Sequence, residues 1–463
     1  MAVALVTVVG CSDAGFDSDF VSSPATTGLI EEAQEKTGPD NDAGVVTLVD
    51  QRFGDPQKLT AWSKLPVDFG GVIGTVVAAP DAKSLQLDFD GQLDSFLGGN
   101  KVVQFVTGPA TLETVTLQSW SAETGIGELV GMMIKSPSAG DQVIVDGGHT
   151  LQAGRGLYMR HCSHCHGTSG DGAGPTAEYL YPRPRDYRPG KFKFTSTKSL
   201  MRPARNDLHR ILKNGIPGTY MPSFVPMLDK DELHAVVEYV RFLSMRGEFE
   251  QKVTNAFASD YSQAELEKRL DDGEKRTAII DELKGYYAEY VAEDLKYDED
   301  DLASAWEIAD AEESLVIPSI PRVPDSIESR RRGRAFFVGT KFNCVNCHGI
   351  GAKGDGPQTL DYELVNNKPR DLPGLHDDWG HVVRPRNLTR GIYRGGRRPI
   401  DIFRRVYSGI NGAKMPGFGG KEPDEELWHI VNYVLSIPFN PEPGHIPGVA
   451  QPAAADGAAA PSL

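Results

Sequence analysis

Residues 162–167 read CSHCHG and residues 344–349 read CVNCHG. In each, two cysteines stand three positions apart and a histidine follows the second at once. The surroundings repeat too. Downstream of Cys162 the chain runs through GDGAGP, PRD, DLHRILKNGI and MPSF; downstream of Cys344 it runs through GDGP, PRD, DIFRRVYSGI and MPGF, in the same order. The offset is 182 residues between Cys162 and Cys344 and 194 between Met221 and Met415, so the second copy holds 12 extra residues between these landmarks. Similarity that keeps its order over residues 151–247 and 330–440 means one domain duplicated. Each copy closes on a helical pattern, DKDELHAVVEYVRFL and PDEELWHIVNYVLSI; in the first, Leu233, Val236, Val237 and Val240 form an i, i+3, i+4, i+7 stripe. Asp325 with Glu328 reads as a capping box opening the second copy.

C-x-x-C-H is the attachment motif of c-type haem. Two thiols at this spacing reach the two vinyl groups and form thioethers, and the next residue turns its imidazole to the iron. Cys162, Cys165 and His166 would hold one haem, and Cys344, Cys347 and His348 the other. A closed zinc site is the first rival, but it needs four ligands, and 179 residues separate Cys165 from Cys344. A thioredoxin-like redox pair is the second, and it leaves the repeated histidine unexplained. The sixth iron ligand decides between electron transfer and catalysis. Met is common opposite His in cytochromes c and raises the reduction potential. Met415 is the only methionine after His348, and Met221 recurs in the same M-P-x-F context, which takes both out of the ordinary core role of methionine. Met201 and Met227 lack repeat partners, and His376 and His381, in the longer loop of the second copy, are the challengers to Met415.

Both copies resemble class I cytochrome c domains, on the C-x-x-C-H strings, the downstream M-P-x-F strings and a terminal helix bearing an aromatic. The resemblance implies a small helical fold in which first and last helices cross at a glycine, with Gly154 and Tyr158 meeting Tyr239, and Gly333 and Phe337 meeting Tyr433. It also implies a Pro carbonyl accepting the proximal His N–H, a role for Pro175 and Pro357. Arg185 and Arg370, in the shared PRD, would face haem propionates or brace a loop. The other histidines, His161, His164, His209, His234 and His429, read as core or surface residues.

The remaining chain sets the context. A length of 463 residues suggests about three domains. Lys and Arg total 48 against 64 Asp and Glu, a formal charge of −16, which argues against nucleic acid as a partner. Five cysteines cannot form the disulfide framework of a small secreted domain. No apolar run reaches the roughly 18 residues of a spanning helix. Residues 1–40 read as a leader and tether. Val8-Val9-Gly10-Cys11 resembles the end of a bacterial lipoprotein signal, with Cys11 carrying the lipid, although the usual basic start is missing. Residues 41–150 carry the runs GVVTLV, GVIGTVVA, SLQLDF, KVVQFV, ETVTLQ and DQVIV, which predict a small β-rich domain. Cytochrome c domains are expected over 151–249 and 330–440, an acidic helical linker over 250–329 and a disordered tail over 441–463. Residues 250–313 hold 20 acidic and 7 basic residues, a solvated face or a docking face for a basic partner.

The expected fold is therefore mainly α: two tandem class I cytochrome c domains joined by an acidic helical linker and preceded by a small β-rich domain. The expected function is electron transfer by two covalently bound c-type haems in an exported, membrane-associated respiratory chain. Redox proteins, a membrane respiratory complex and, through the lipid anchor, the membrane itself are the expected partners, on the periplasmic side of a bacterial membrane. The alternative is a haem enzyme, either a di-haem peroxidase or the cytochrome subunit of a dehydrogenase.

Overall fold

Alternation of apolar and polar residues in the segment before the first repeat produces six antiparallel strands. They are β1 (Val72–Asp81), β2 (Ser84–Asp88), β3 (Lys101–Phe105), β4 (Thr114–Ser121), β5 (Ile126–Leu129) and β6 (Gln142–Val145). In this computed structural model the sheet runs β1-β2-β5-β4-β3-β6 and closes, because β6 pairs with β1 (Ile73 opposite Ile144) as well as with β3 (Gln104 opposite Ile144). The structure describes residues 20–24, 26–28, 45–56, 59–60, 65–89, 101–111, 113–261 and 263–439. Val76, Leu85, Leu87, Val103, Phe105, Leu117, Val143 and Val145 fill the barrel. The expectation of a mainly α chain is thus corrected. The segment ahead of the repeats is a closed barrel with its own core, and closure removes the exposed strand edges that an open sheet of this size would present.

One of the six expected strands is not a strand. The run GVVTLV opens helix α1 (Val45–Phe53). Its buried residues are Val45, Leu48, Val49 and Phe53, a helical spacing, and Phe53 packs edge-on against Phe242 with ring centroids 5.4 Å apart.

The remaining helices are α2 (His149–His161), α3 (Arg205–Asn214), α4 (Lys230–Tyr261), α5 (Gln263–Asp271), α6 (Arg276–Glu289), α7 (Leu295–Asp310), α8 (Ile327–Val338), α9 (Pro399–Ser408) and α10 (Asp424–Ser436). The chain divides into two compact units, Met1–Gly190 with Phe224–Ile308, and Lys191–Ser223 with Ala309–Leu463.

In the first unit α2 crosses α4 at Gly154, where an added Cβ would lie 2.1 Å from the Ala235 carbonyl oxygen. One turn on, Tyr158 meets Tyr239 edge-on at 5.3 Å. Helix α4 does not stop where the repeat does. It runs on for 32 residues in all, and its buried Phe249, Val253 and Phe257 continue the core under α1 and the acidic helices. Phe257 packs against Tyr286 and Tyr290, and Trp306 donates its indole N–H to Glu248 at 2.8 Å. The acidic segment is therefore a set of helices whose apolar faces are buried and whose carboxylates face out.

In the second unit α8 crosses α10 at Gly333, where an added Cβ would lie 1.9 Å from the His429 carbonyl oxygen, and Phe337 meets Tyr433 at 5.4 Å. The cap of α8 is Ser326, whose hydroxyl accepts the Ser329 N–H; Asp325 pairs with Arg330 at 2.6 Å and is not the cap. Segment Lys191–Ser223 of the first repeat, with α3, is built into this unit. Arg405 of α9 is buried and donates to the carbonyls of Lys193 and Thr195. Ser408 donates to Thr197 O at 3.0 Å. Arg210 of α3 bridges Asp207 of its own helix and Asp401 of α9 at 3.1 and 3.5 Å.

Candidate haem sites

The C-x-x-C-H string of the first repeat begins where its first helix ends, that of the second begins six positions beyond Val338, and each forms one tight turn, Ser163–His166 and Val345–His348. Glycines then let the chain fold back over that turn. Gly172 N–H donates to His166 O and Gly354 N–H to His348 O, both at 2.9 Å, and an added Cβ at Gly174 or Gly356 would strike the turn's carbonyls at 2.5 or 2.4 Å.

The four cysteines are free. Burial pushes the Cys162 and Cys344 thiols up to about 12, so both are protonated at neutral pH. The attacking thiol of a redox-active pair needs a lowered pKa, and burial works against that at Cys162 and Cys344. Among the described residues no three His, Cys, Asp or Glu side chains converge to hold a metal ion by themselves.

The histidine geometry repeats closely. His166 Nδ1 lies 3.2 Å from Arg185 O, and His348 Nδ1 lies 3.3 Å from Arg386 O. A carbonyl acceptor fixes the N–H on Nδ1 and leaves Nε2 as the free donor. Burial lowers the pKa of both rings, so they are neutral, as ligation requires. The expected acceptors, Pro175 and Pro357, are thereby corrected. The segment supplying the carbonyl reads RPR in both copies, at residues 183–185 and 384–386. The shared PRD string likewise does not align Arg185 with its structural counterpart. Arg370 lies on a hairpin and contacts Glu363 at 3.3 Å, and Arg386 is the counterpart of Arg185. Two positions further, Tyr187 N–H donates to Gly170 O and Leu388 N–H to Ala352 O, which supports this alignment. The second copy therefore gains 19 residues between His and carbonyl, where the separation rises from 19 to 38, and loses 7 between carbonyl and Met.

Met221 and Met415, both half-buried, sit on matching loops. Gly215 ends α3 and Gly409 ends α9, each with positive φ. Ile216 N–H donates to Met221 O at 3.0 Å, and Ile410 N–H to Met415 O at 3.1 Å. An added Cβ on Gly215 or Gly409 would come within 2.6 or 2.4 Å of the same methionine carbonyls. Met221 belongs to the second unit and His166 to the first; Met415 and His348 share the second. The challengers to Met415 are engaged elsewhere. His376 is buried with Nδ1 3.0 Å from Gly374 O, and His381 pairs with Asp377 at 3.7 Å. His429 is a core residue with Nδ1 2.8 Å from Ser329 Oγ, and His234 Nε2 lies 2.8 Å from Asp68. Cys11 lies outside the described residues.

A neutral imidazole with one free nitrogen, free thiols at the preceding residue and one turn before it, and a glycine-backed turn form a donor set that fits covalent haem. Comparison with known proteins agrees on the class. Residues 149–240 and 328–434 match the family model described as cytochrome C oxidase, cbb3-type, subunit III. These two segments are thus similar to the cytochrome c domains that the family model describes. A stretch of 107 residues is 29% identical to the cbb3-type cytochrome c oxidase subunit FixP of Sinorhizobium medicae (strain WSM419), over 23% of this chain and 30% of that relative. The chain thus matches less than a third of that relative's length. A solved structure, the reducing HAO-like protein complex Kustc0457/Kustc0458 of Kuenenia stuttgartiensis, is similar at 22% identity and a TM-score of 0.42, covering 62% of this chain and 96% of that one.

Proposed function

We propose that the chain is a di-haem c-type cytochrome that carries electrons. Cys162, Cys165 and His166 hold one haem and Cys344, Cys347 and His348 the other, with Met221 and Met415 as sixth ligands. The observation that carries this reading is the repeated His–carbonyl contact at 3.2 and 3.3 Å, which sets both rings in the tautomer that ligates through Nε2. Bound haem supplies a one-electron couple. The chain's own contribution is to anchor, to orient the imidazole and to close the iron against other ligands, which keeps reorganisation on electron transfer small. For Met221 the support is its matching loop and its place in the repeat.

The donors and acceptors are redox proteins, with a membrane respiratory complex as the setting, on the periplasmic side of a bacterial membrane and held there by lipid on Cys11. Among the described residues no helix is long and apolar enough to cross a membrane. The test is Met415→Ala. The haem stays attached, the potential of one haem falls, and ferrous protein binds carbon monoxide. Unchanged spectra and potentials would overturn the sixth-ligand assignment. Cys344→Ala leaves one haem fully attached per chain by mass spectrometry; two would overturn the attachment site.

A further inference from the structure

The 19 residues gained by the second repeat form a hairpin and a loop against the methionine loop. Leu364–Val365 pairs with Lys368–Pro369, and Asn366 and Asn367 take the turn with φ of 51° and 62°. The turn sets Glu363 and Arg370 side by side at its base, where Arg370 N–H donates to Glu363 O at 2.9 Å. From there Glu363 Oε1 reaches Lys414 Nζ at 2.6 Å, one residue before Met415. Its other oxygen lies 3.3 Å from Arg370 Nε and from the buried His376 Nδ1 without a hydrogen bond to either, so Lys414 is the group that holds the carboxylate. A second tie comes from the backbone, with Asp378 N–H donating to Gly412 O at 3.3 Å.

The first repeat has neither tie. It lacks the hairpin, and the residue in the place of Lys414 is Tyr220, whose side chain is exposed. We propose that the hairpin is a clamp on the Met415 loop, with Glu363 as its positioning residue, so that the two sixth ligands differ in how readily they are displaced. The haem of the second repeat is then the closed electron carrier, and the haem of the first repeat is the one that admits small neutral ligands. This rests on the reading of Met221 and Met415 as ligands.

Imidazole titration of the ferric holoprotein, followed by loss of the methionine–iron absorption, tests the clamp. The wild type titrates in two phases, the weaker belonging to the second haem. Glu363→Gln moves that weaker phase to about two- to fivefold lower imidazole and leaves the other in place, the size of one partly exposed ion pair. Lys414→Tyr, which installs the residue of the first repeat, does the same. A single wild-type phase, or two phases unmoved by both variants, overturns the clamp. Failure of the underlying reading looks different, since Met415→Ala would then leave the whole titration unchanged.

Discussion

Tyr158 and Tyr187 are where the two repeats diverge most plainly in side-chain chemistry. The Tyr187 hydroxyl donates to that of Tyr158 at 2.5 Å, and Tyr158 donates onward to Gly167 O at 2.7 Å, immediately after the proposed ligand His166. Burial raises the pKa of both phenols well above the usual value, so they stay protonated. The second repeat has Phe337 and Leu388 at these places and builds the same turn without the chain of hydroxyls. A buried hydroxyl costs most when one partner alone is removed. Tyr158→Phe should therefore lower stability by about 1–3 kcal/mol, and Tyr158→Phe with Tyr187→Leu, which copies the second repeat, should recover part of it. Urea unfolding of the four members of this cycle measures the coupling, and strictly additive effects would contradict it. The residues legible from sequence were those whose chemistry is local. A thioether motif declares itself in five positions, and a helix crossing at Gly154 or Gly333 is set by the absence of one Cβ. The carbonyls of Arg185 and Arg386 were not legible, because they come from 19 and 38 residues away and a decoy PRD string at residues 369–371 offered a false register.

At the scale of elements, the six strands of the barrel follow alternation, but closure depends on β6 pairing both β1 and β3, contacts about 70 and 40 residues apart that no local pattern announces. GVVTLV departs from its expected strand for a related reason. A short run rich in β-branched residues suits either state, and the helical spacing of Val45, Leu48, Val49 and Phe53 decides only once the core of α4 is there to receive it. Segment 191–223 shows the same dependence on context. Its extended part offers the carbonyls of Lys193, Thr195 and Thr197 to α9 rather than to a sheet, and Arg405 and Ser408 answer them. Burial pushes the Arg405 pKa down to about 10, which still leaves it charged at neutral pH and dependent on those carbonyls. Arg405→Leu removes a charged donor from buried acceptors and should destabilise the second unit by about 2–3 kcal/mol, read as a lower midpoint in chemical denaturation. An unchanged midpoint would mean that the segment is held by apolar packing alone.

At the scale of the whole molecule, charge is distributed very unevenly. Most of the formal −16 comes from residues 250–313, where 20 acidic residues stand against 7 basic ones. Some of these carboxylates are occupied within the segment. Arg269 is paired with Glu274 and Glu282, and Lys252 with Asp298 and Asp301. Those pairs neutralise few of the acids, so the surface of α5–α7 retains a negative field while its apolar faces are buried beneath. A field of one sign raises the encounter rate with an oppositely charged partner and is screened over about 8–10 Å at 0.1–0.15 M salt. Electron exchange with a cationic small protein or a cationic metal complex should therefore slow by about tenfold or more between 10 mM and 200 mM salt, while exchange with an anionic complex of similar potential should quicken. Stopped-flow reduction with such a pair separates the field from intrinsic haem reactivity, because potential and haem exposure are common to both reagents. Charge reversal of Asp298, Asp300 and Asp301 should flatten both dependences. Rates that respond to salt in the same direction with both reagents would show that the acidic helices serve solvation alone.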